Sequence, residues 1–287
     1  MFSTGKPLSL RYYLVGIAVI FIVVYVPYFF DVGSEVVGYL IVYGIPIAVV
    51  SVLFGKQILS RAAKNNKEAF KVTLGTFSPL YIVGIFLAAI ALAIILQFYP
   101  SATDLLQKTN PVLNVSPTEA WVFIAFSLLV VGPAEEYLFR GFMYGGMLSL
   151  TKGKYWLPLA ILSSLMFAAA HGYYAQTYGV ASPVFYIELV VFGVSMAIAY
   201  NWSGGNLVAL AVVHGTNDAI GFLSVATTAS IAGVNVSRIA QIVFIAVGLV
   251  FTVTYVLKKK VLINPTQTSE QQPQTQQPPS DLPPPAQ

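Results

Sequence analysis

The chain has 287 residues, of which 57% are hydrophobic and only 9% charged, and its mean hydropathy is +0.76. A soluble domain carries about 25% charged residues, so the composition excludes a water-soluble globular enzyme and defines a polytopic membrane protein. Cysteine is absent, which removes disulfide frameworks, thiolate nucleophiles, thiolate zinc sites and iron–sulfur clusters together. The net charge of +4 and a pI near 9.1 do not argue for a nucleic-acid partner, because the basic residues stand between apolar runs, where they set topology.

A window of about 19 residues finds apolar runs at Tyr12–Phe30, Val36–Phe54, Leu80–Phe98, Ala120–Leu150, Trp156–His171, Val184–Trp202, Leu207–Val225 and Ile239–Leu257. The expected fold is an all-α polytopic membrane helix bundle of about eight transmembrane helices. The first run is too long for a signal core and lacks a small-residue exit, so it is expected to stay as a helix. Ser116-Pro117-Thr118-Glu119 reads as an N-cap, a proline in the first turn and a capping-box glutamate. Gly132-Pro133 predicts a kink or a restart within the long fourth run. Residues 1–263 are read as one integral-membrane domain with its core motifs at 132–218. Residues 264–287, rich in Pro and Gln, are read as a disordered cytoplasmic tail that could recruit a cytoplasmic partner.

With the N-terminus cytoplasmic, the inside segments hold 13 Lys and Arg and the outside ones 2, counting Arg140 inside. Eight spans with both termini inside satisfy the positive-inside rule. The expected location is the cell membrane, with lipid as a constant partner. The basic loop from Lys56 to Lys71 reads as a solvated topology signal.

Polar residues interrupt this apolar background at three places: Glu135, Glu136 and Arg140 in VGPAEEYLFRG, His171 closing FAAAH, and His214 with Asn217 and Asp218 in HGTND. An ionisable group in the hydrocarbon costs about 2.5 to 3.5 kcal/mol on insertion scales, so each needs a partner or a function. Helical spacing pairs Glu136 with Arg140 and leaves Glu135 free of that partner, as the base that water activation requires. Phe167 packs beneath His171 on the same face, and His214 shares a face with Asp218, so that the carboxylate orients the ring or both act on one ligand. These are the only two histidines in the chain, and both fall within spans.

In order and spacing the three motifs resemble EExxxR, FxxxH and HxxxN/D of the CAAX protease and bacteriocin-processing family, the Rce1-like intramembrane endopeptidases. The resemblance covers Glu135 to Asp218 and departs in carrying Asp218 where many members have Asn, with Asn217 adjacent. It implies hydrolysis of a peptide bond near the membrane, in a peptide or a lipidated, C-terminally prenylated protein. Glu135 would activate water, His171 would help hold or deprotonate it, and His214 with Asp218 or Asn217 would stabilise the oxyanion. Glu136 and Arg140 would support them. Metal-free activation is the expectation, and Glu135, His171 and His214 form the alternative zinc ligand set.

Two alternatives of other classes stand beside it: a proton-coupled transporter, which would string carboxylates along a pore, and a non-catalytic membrane binding or immunity protein. Depth raises an objection to the protease reading. With Trp121 and Trp156 as interface anchors and ~1.5 Å per residue, straight vertical helices leave Glu135 and His171 at heights ~13 Å apart. Glu188, a further carboxylate within a span, is read as an acceptor for tyrosine hydroxyls.

Overall fold

The structure is a computed structural model that describes residues 9–29, 38, 40–59, 65–106 and 115–256. The Pro- and Gln-rich tail from 264 lies outside the described residues. The described chain is a bundle of helices: α1 (Leu10–Phe29), α2 (Leu40–Leu59), α3 (Asn66–Phe98), the short α4 (Ala102–Leu106), α5 (Pro117–Leu150), α6 (Trp156–Ala169), the short α7 (Tyr173–Tyr178), α8 (Ser182–Trp202), α9 (Leu207–Ala226) and α10 (Val236–Tyr255). A two-stranded antiparallel hairpin, Ser230–Ile231 with Val234–Asn235, joins α9 to α10. Its coat of lipid-compatible side chains makes the bundle a multi-pass integral membrane protein. Val52, Phe86, Ile94, Leu129 and Val250 all face outward, a surface that water would not tolerate and hydrocarbon requires.

The expected eight spans divide into two kinds. Among the described residues six helices are long and apolar enough to cross a membrane, while the apolar helix Trp156–Ala169 is shorter and the 20-residue α1 is described in full only as far as Tyr25. The 14 residues of α6 reach ~21 Å, against a hydrocarbon core of about 30 Å. Conversely α3, expected from Leu80, begins at Asn66 and runs for 33 residues. Its first turns carry Lys67, Glu68 and Lys71, which lower hydropathy without breaking the helix, so a hydropathy window starts too late. At ~50 Å, α3 and the 34-residue α5 exceed the core and must tilt or project from it.

The start of α5 follows the sequence reading: Ser116 Oγ accepts from Glu119 N at 3.3 Å, and Glu119 Oε2 accepts from Ser116 N at 2.8 Å. At Gly132-Pro133, where a kink or a restart is expected, an α-helical turn Gly132–Glu135 begins with Pro133 in its first positions, and the helix continues through it. Pro133 offers no N–H to the carbonyl one turn earlier, and the chain absorbs that loss by widening into an i→i+5 π turn over Ser127–Val131. A second π segment covers Glu136–Tyr144. Between them α5 crosses α9 backbone to backbone. A Cβ on Gly132 would stand 2.8 Å from Gly215 N, and one on Gly215 would stand 2.6 Å from Ser127 O. Only glycine permits that approach, and it brings the Glu135-Glu136 turn against His214.

The core around this crossing is aromatic and aliphatic, with Phe54, Phe77, Phe142, Phe167, Phe192, Met196 and Leu210 buried in one cluster. The starts of α3 and α9 are tied by Asn206, which caps α9 through Ala209 N at 2.8 Å and donates to Asn66 Oδ1 at 2.9 Å. The tight α8–α9 turn requires Gly205 at φ +83°, with its N–H closing on Tyr200 O at 2.8 Å. That turn fixes where α9, and hence His214, enters the bundle.

Candidate active site

Glu135 ends the α-helical turn Gly132–Glu135 and Glu136 opens the second π segment. Both are buried, and Glu136 has no exposed surface at all. Its Oε1 accepts from Arg140 Nη1 at 2.9 Å, the pairing expected from spacing, and also meets His214 Nδ1 at 2.7 Å. With a carboxylate as the acceptor, Nδ1 is the protonated nitrogen. The opposite nitrogen, Nε2, lies 3.5 Å from Glu135 Oε2 and 3.4 Å from Asp218 Oδ2. His214 is therefore bracketed by three carboxylates, and Glu136 is the hub that links imidazole to guanidinium.

Aromatic rings close the cluster. Arg140 places its guanidinium carbon 4.4 Å from the centre of the Phe167 ring and 5.6 Å from that of Phe192, a cation–π environment that offsets part of the cost of burying its charge. Phe192 also meets the His214 ring edge-on at 4.7 Å. Among the described residues Arg140 Nη2 and Glu136 Oε2 are buried without a hydrogen-bond partner. This places two strong, unsatisfied groups next to the imidazole.

His171 stands one ring away from this group. Its imidazole packs on Phe167 at 4.7 Å, as the shared face predicts, and Phe167 in turn lies 6.1 Å from the His214 ring. His171 Nδ1 meets Phe167 O at 2.8 Å. Among the described residues no hydrogen bond engages its Nε2, and none joins His171 directly to Glu135 or His214. The depth objection is met at Arg140 and not at Glu135. The last turns of α6 dock on Arg140, five residues along α5 from Glu135, while the Tyr144 hydroxyl donates to Trp156 O at 3.2 Å at the start of α6.

Of the two residues left open beside His214, Asp218 faces the ring, and Asn217 instead donates to Asp218 Oδ1 at 3.4 Å. Glu188 accepts no tyrosine hydrogen bond among the described residues. Sequence reasoning missed Tyr43 of α2, whose hydroxyl donates to Glu135 Oε1 at 2.7 Å. A lone tyrosine in an apolar run carries no spacing signal, since its partner is 92 residues away. Phe192 was missed for the same reason. No group of three His, Cys, Asp or Glu among the described residues is arranged to hold a metal ion. Both ring nitrogens of His214 are directed at carboxylates, which does not fit the zinc ligand set considered above.

Fold and site together define a multi-pass membrane protein with a buried carboxylate–imidazole–guanidinium cluster at a helix crossing. Residues 117–220, from the capped start of α5 to just beyond Asp218 in α9, match the family described as type II CAAX prenyl endopeptidase Rce1-like. The match is to a family of peptidases and covers that segment alone. No curated protein and no solved structure matches the chain.

Proposed function

We propose that the protein is an intramembrane endopeptidase that hydrolyses a peptide bond near the membrane by water activation on Glu135, without a metal. The observation that carries this reading is the bracketing of His214: one nitrogen held by Glu136, the other turned toward Glu135 and Asp218. A water beside Glu135 Oε2 gives its proton to that carboxylate, and the resulting hydroxide adds to the scissile carbonyl carbon. The oxyanion is met by the Nε2–H of a doubly protonated His214, with Asp218 beside it, while His171 helps hold the water, in a setting where buried dipoles act at low dielectric. The C–N bond then breaks, and the proton on Glu135 passes to the leaving amine. Glu136 and Arg140 fix the His214 ring, and Tyr43 fixes Glu135.

The class of substrate follows from the family resemblance: peptides or lipidated proteins, with C-terminally prenylated chains as first candidates. The transporter alternative predicts titratable groups spaced along a path, whereas Glu135, Glu136, His214 and Asp218 share one imidazole. The cell membrane and cytoplasmic termini are the location this reading assigns, from the distribution of Lys and Arg. The test is cleavage of a panel of prenylated and unmodified peptides by purified wild-type and Glu135→Gln protein in lipid nanodiscs. Cleavage by the wild type and its loss in Glu135→Gln is the expected result. Equal rates in both proteins would refute Glu135 as the base.

A further inference from the structure

Among the described residues no hydrogen bond joins His171 to Glu135, yet one side chain neighbours both. Tyr173, the first residue of α7, sets its ring 5.8 Å from that of His171, and its hydroxyl lies within electrostatic reach of Glu135 and of Tyr43. Tyr43 is the residue of α2 that donates to Glu135 Oε1 at 2.7 Å. Two phenols, from elements far apart in the chain, therefore stand at the same carboxylate.

The turn that carries Tyr173 is held from several sides. His171 N and Tyr174 N close it onto Ala168 O at 3.0 Å and His171 O at 3.1 Å. Tyr25 of α1 donates to Ala169 O, and Tyr186 of α8 donates to His171 O at 3.3 Å, so carbonyls that the end of α6 leaves open are satisfied from neighbouring helices. Gly172 makes the approach possible, since a Cβ there would stand 3.0 Å from the Tyr25 ring. Tyr174 lies 4.4 Å from Tyr173 between ring centres and nearly parallel to Phe185 of α8. A hydroxyl on a turn fixed in this way needs little reorganisation when charge develops beside it. Tyr173 is also only half-buried, which leaves it open to a substrate.

We propose that Tyr173 is a further catalytic residue, its hydroxyl donating to the oxyanion of the tetrahedral intermediate as a second donor beside His214 Nε2. The inference rests on the peptidase reading of the site. A carbonyl attacked by water on Glu135 must lie next to that carboxylate, where the groups at hand are His214 and the two phenols. Tyr43 is engaged on Oε1. Tyr173 instead meets the Tyr174 hydroxyl, a neutral bond that a charged oxygen outcompetes. A phenol is protonated at neutral pH and serves as a donor without releasing its proton. No proton moves through Tyr173: its hydrogen bond forms as negative charge gathers on the carbonyl oxygen and is given up when the C–N bond breaks.

The experiment uses full-length wild-type, Tyr173→Phe and Tyr174→Phe protein in lipid nanodiscs. Tyr173→Phe keeps the ring contacts and loses only the hydroxyl, so kcat should fall about 100-fold or more, the scale of one oxyanion donor, with KM and Tm near wild type. Tyr174→Phe removes only the neutral partner and should leave kcat close to wild type. A second arm compares binding of a peptide difluoroketone, tetrahedral as its hydrate, with that of the same peptide carrying a reduced CH2–NH bond, which has no carbonyl. Tyr173→Phe should weaken the difluoroketone by at least about tenfold, the value of one hydrogen bond, and leave the reduced peptide unchanged. An unchanged kcat in Tyr173→Phe, or equal losses for the two ligands, overturns the donor role. An equal fall in kcat for both variants assigns the hydroxyl pair to holding the turn and overturns it as well. If the wild type cleaves no peptide, the peptidase reading fails, and the ligand pair decides the tyrosine by itself: selective loss in Tyr173→Phe supports the donor, and no selective loss overturns it.

Discussion

Replacing Glu136 with glutamine removes one charge from the hub of the site and should cost more stability than any other single isosteric change there. Glu136 Oε1 serves Arg140 at 2.9 Å and His214 at 2.7 Å, the shortest contacts to a carboxylate that either partner makes among the described residues. An amide oxygen keeps two neutral contacts, so each bond falls from the charge-assisted range to the ordinary one, a loss of about 1 kcal/mol apiece. The greater cost comes from the guanidinium left buried without a counter-charge, which brings the total to about 3–5 kcal/mol. For a domain of this size that corresponds to a fall in Tm of about 6–20 °C. The assay is thermal unfolding in a single detergent, followed by tryptophan fluorescence, with Glu135→Gln as the matched control. Glu135→Gln keeps an acceptor for Tyr43 and contacts His214 only at 3.5 Å, so it should abolish turnover with a Tm close to wild type. Two variants with the same Tm would refute the assignment of Glu136 as the structural member of the pair. A further check is Glu136→Leu with Arg140→Leu, which removes both charges and should recover part of the stability lost by Glu136→Gln.

Three further outcomes follow from other features. Gly215→Ala sets a Cβ 2.6 Å from Ser127 O, so overpacking of about 1–3 kcal/mol should lower Tm by about 2–12 °C and reduce kcat by displacing His214 from Glu135; an unchanged Tm and rate would show that the crossing gives way freely. Tyr43→Phe removes the donor to Glu135 and should lower kcat about tenfold, the value of one hydrogen bond, while leaving KM in place; a change confined to KM would assign Tyr43 to substrate contact. A chain ending at Ile263 should keep both the melting temperature and the cleavage rate, because residues 264–287 hold Leu282 as their sole large aliphatic and no aromatic; a large fall in either would show that this segment packs against the bundle.

What was legible in the sequence was the local chemistry on single helices. Glu136 with Arg140, Phe167 with His171 and His214 with Asp218 are each four residues apart, and helical geometry alone predicts those three contacts. The Ser116 capping box was equally local. What joins separate helices left no trace in spacing: Tyr43 on Glu135, Phe192 on His214, and Glu136 turned from a simple clasp into a bridge between Arg140 and His214. Gly132 and Gly215 were visible as glycines, yet their use as a backbone contact depends on two elements meeting. The start of α3 was missed because charged residues at a helix end look the same in composition whether they continue the helix or precede it.

The nine-residue π segment Glu136–Tyr144 makes α5 a helix with two angular registers. Each i→i+5 turn advances the side chains less far around the axis than an α turn would, so the face that α5 shows to α6 beyond Tyr144 is offset from the face it shows to α9 at Gly132. A segment of this kind holds one residue more than an α-helix of equal rise. Deleting a residue such as Met143 would let the hydrogen bonding return to the stronger i→i+4 pattern while rotating everything beyond it relative to Glu135. Thermodynamic comfort and geometric register are therefore opposed along this one stretch of chain. The wider helix is the form in which Arg140 and the docking surface for α6 can be aimed independently of the glutamates that precede them.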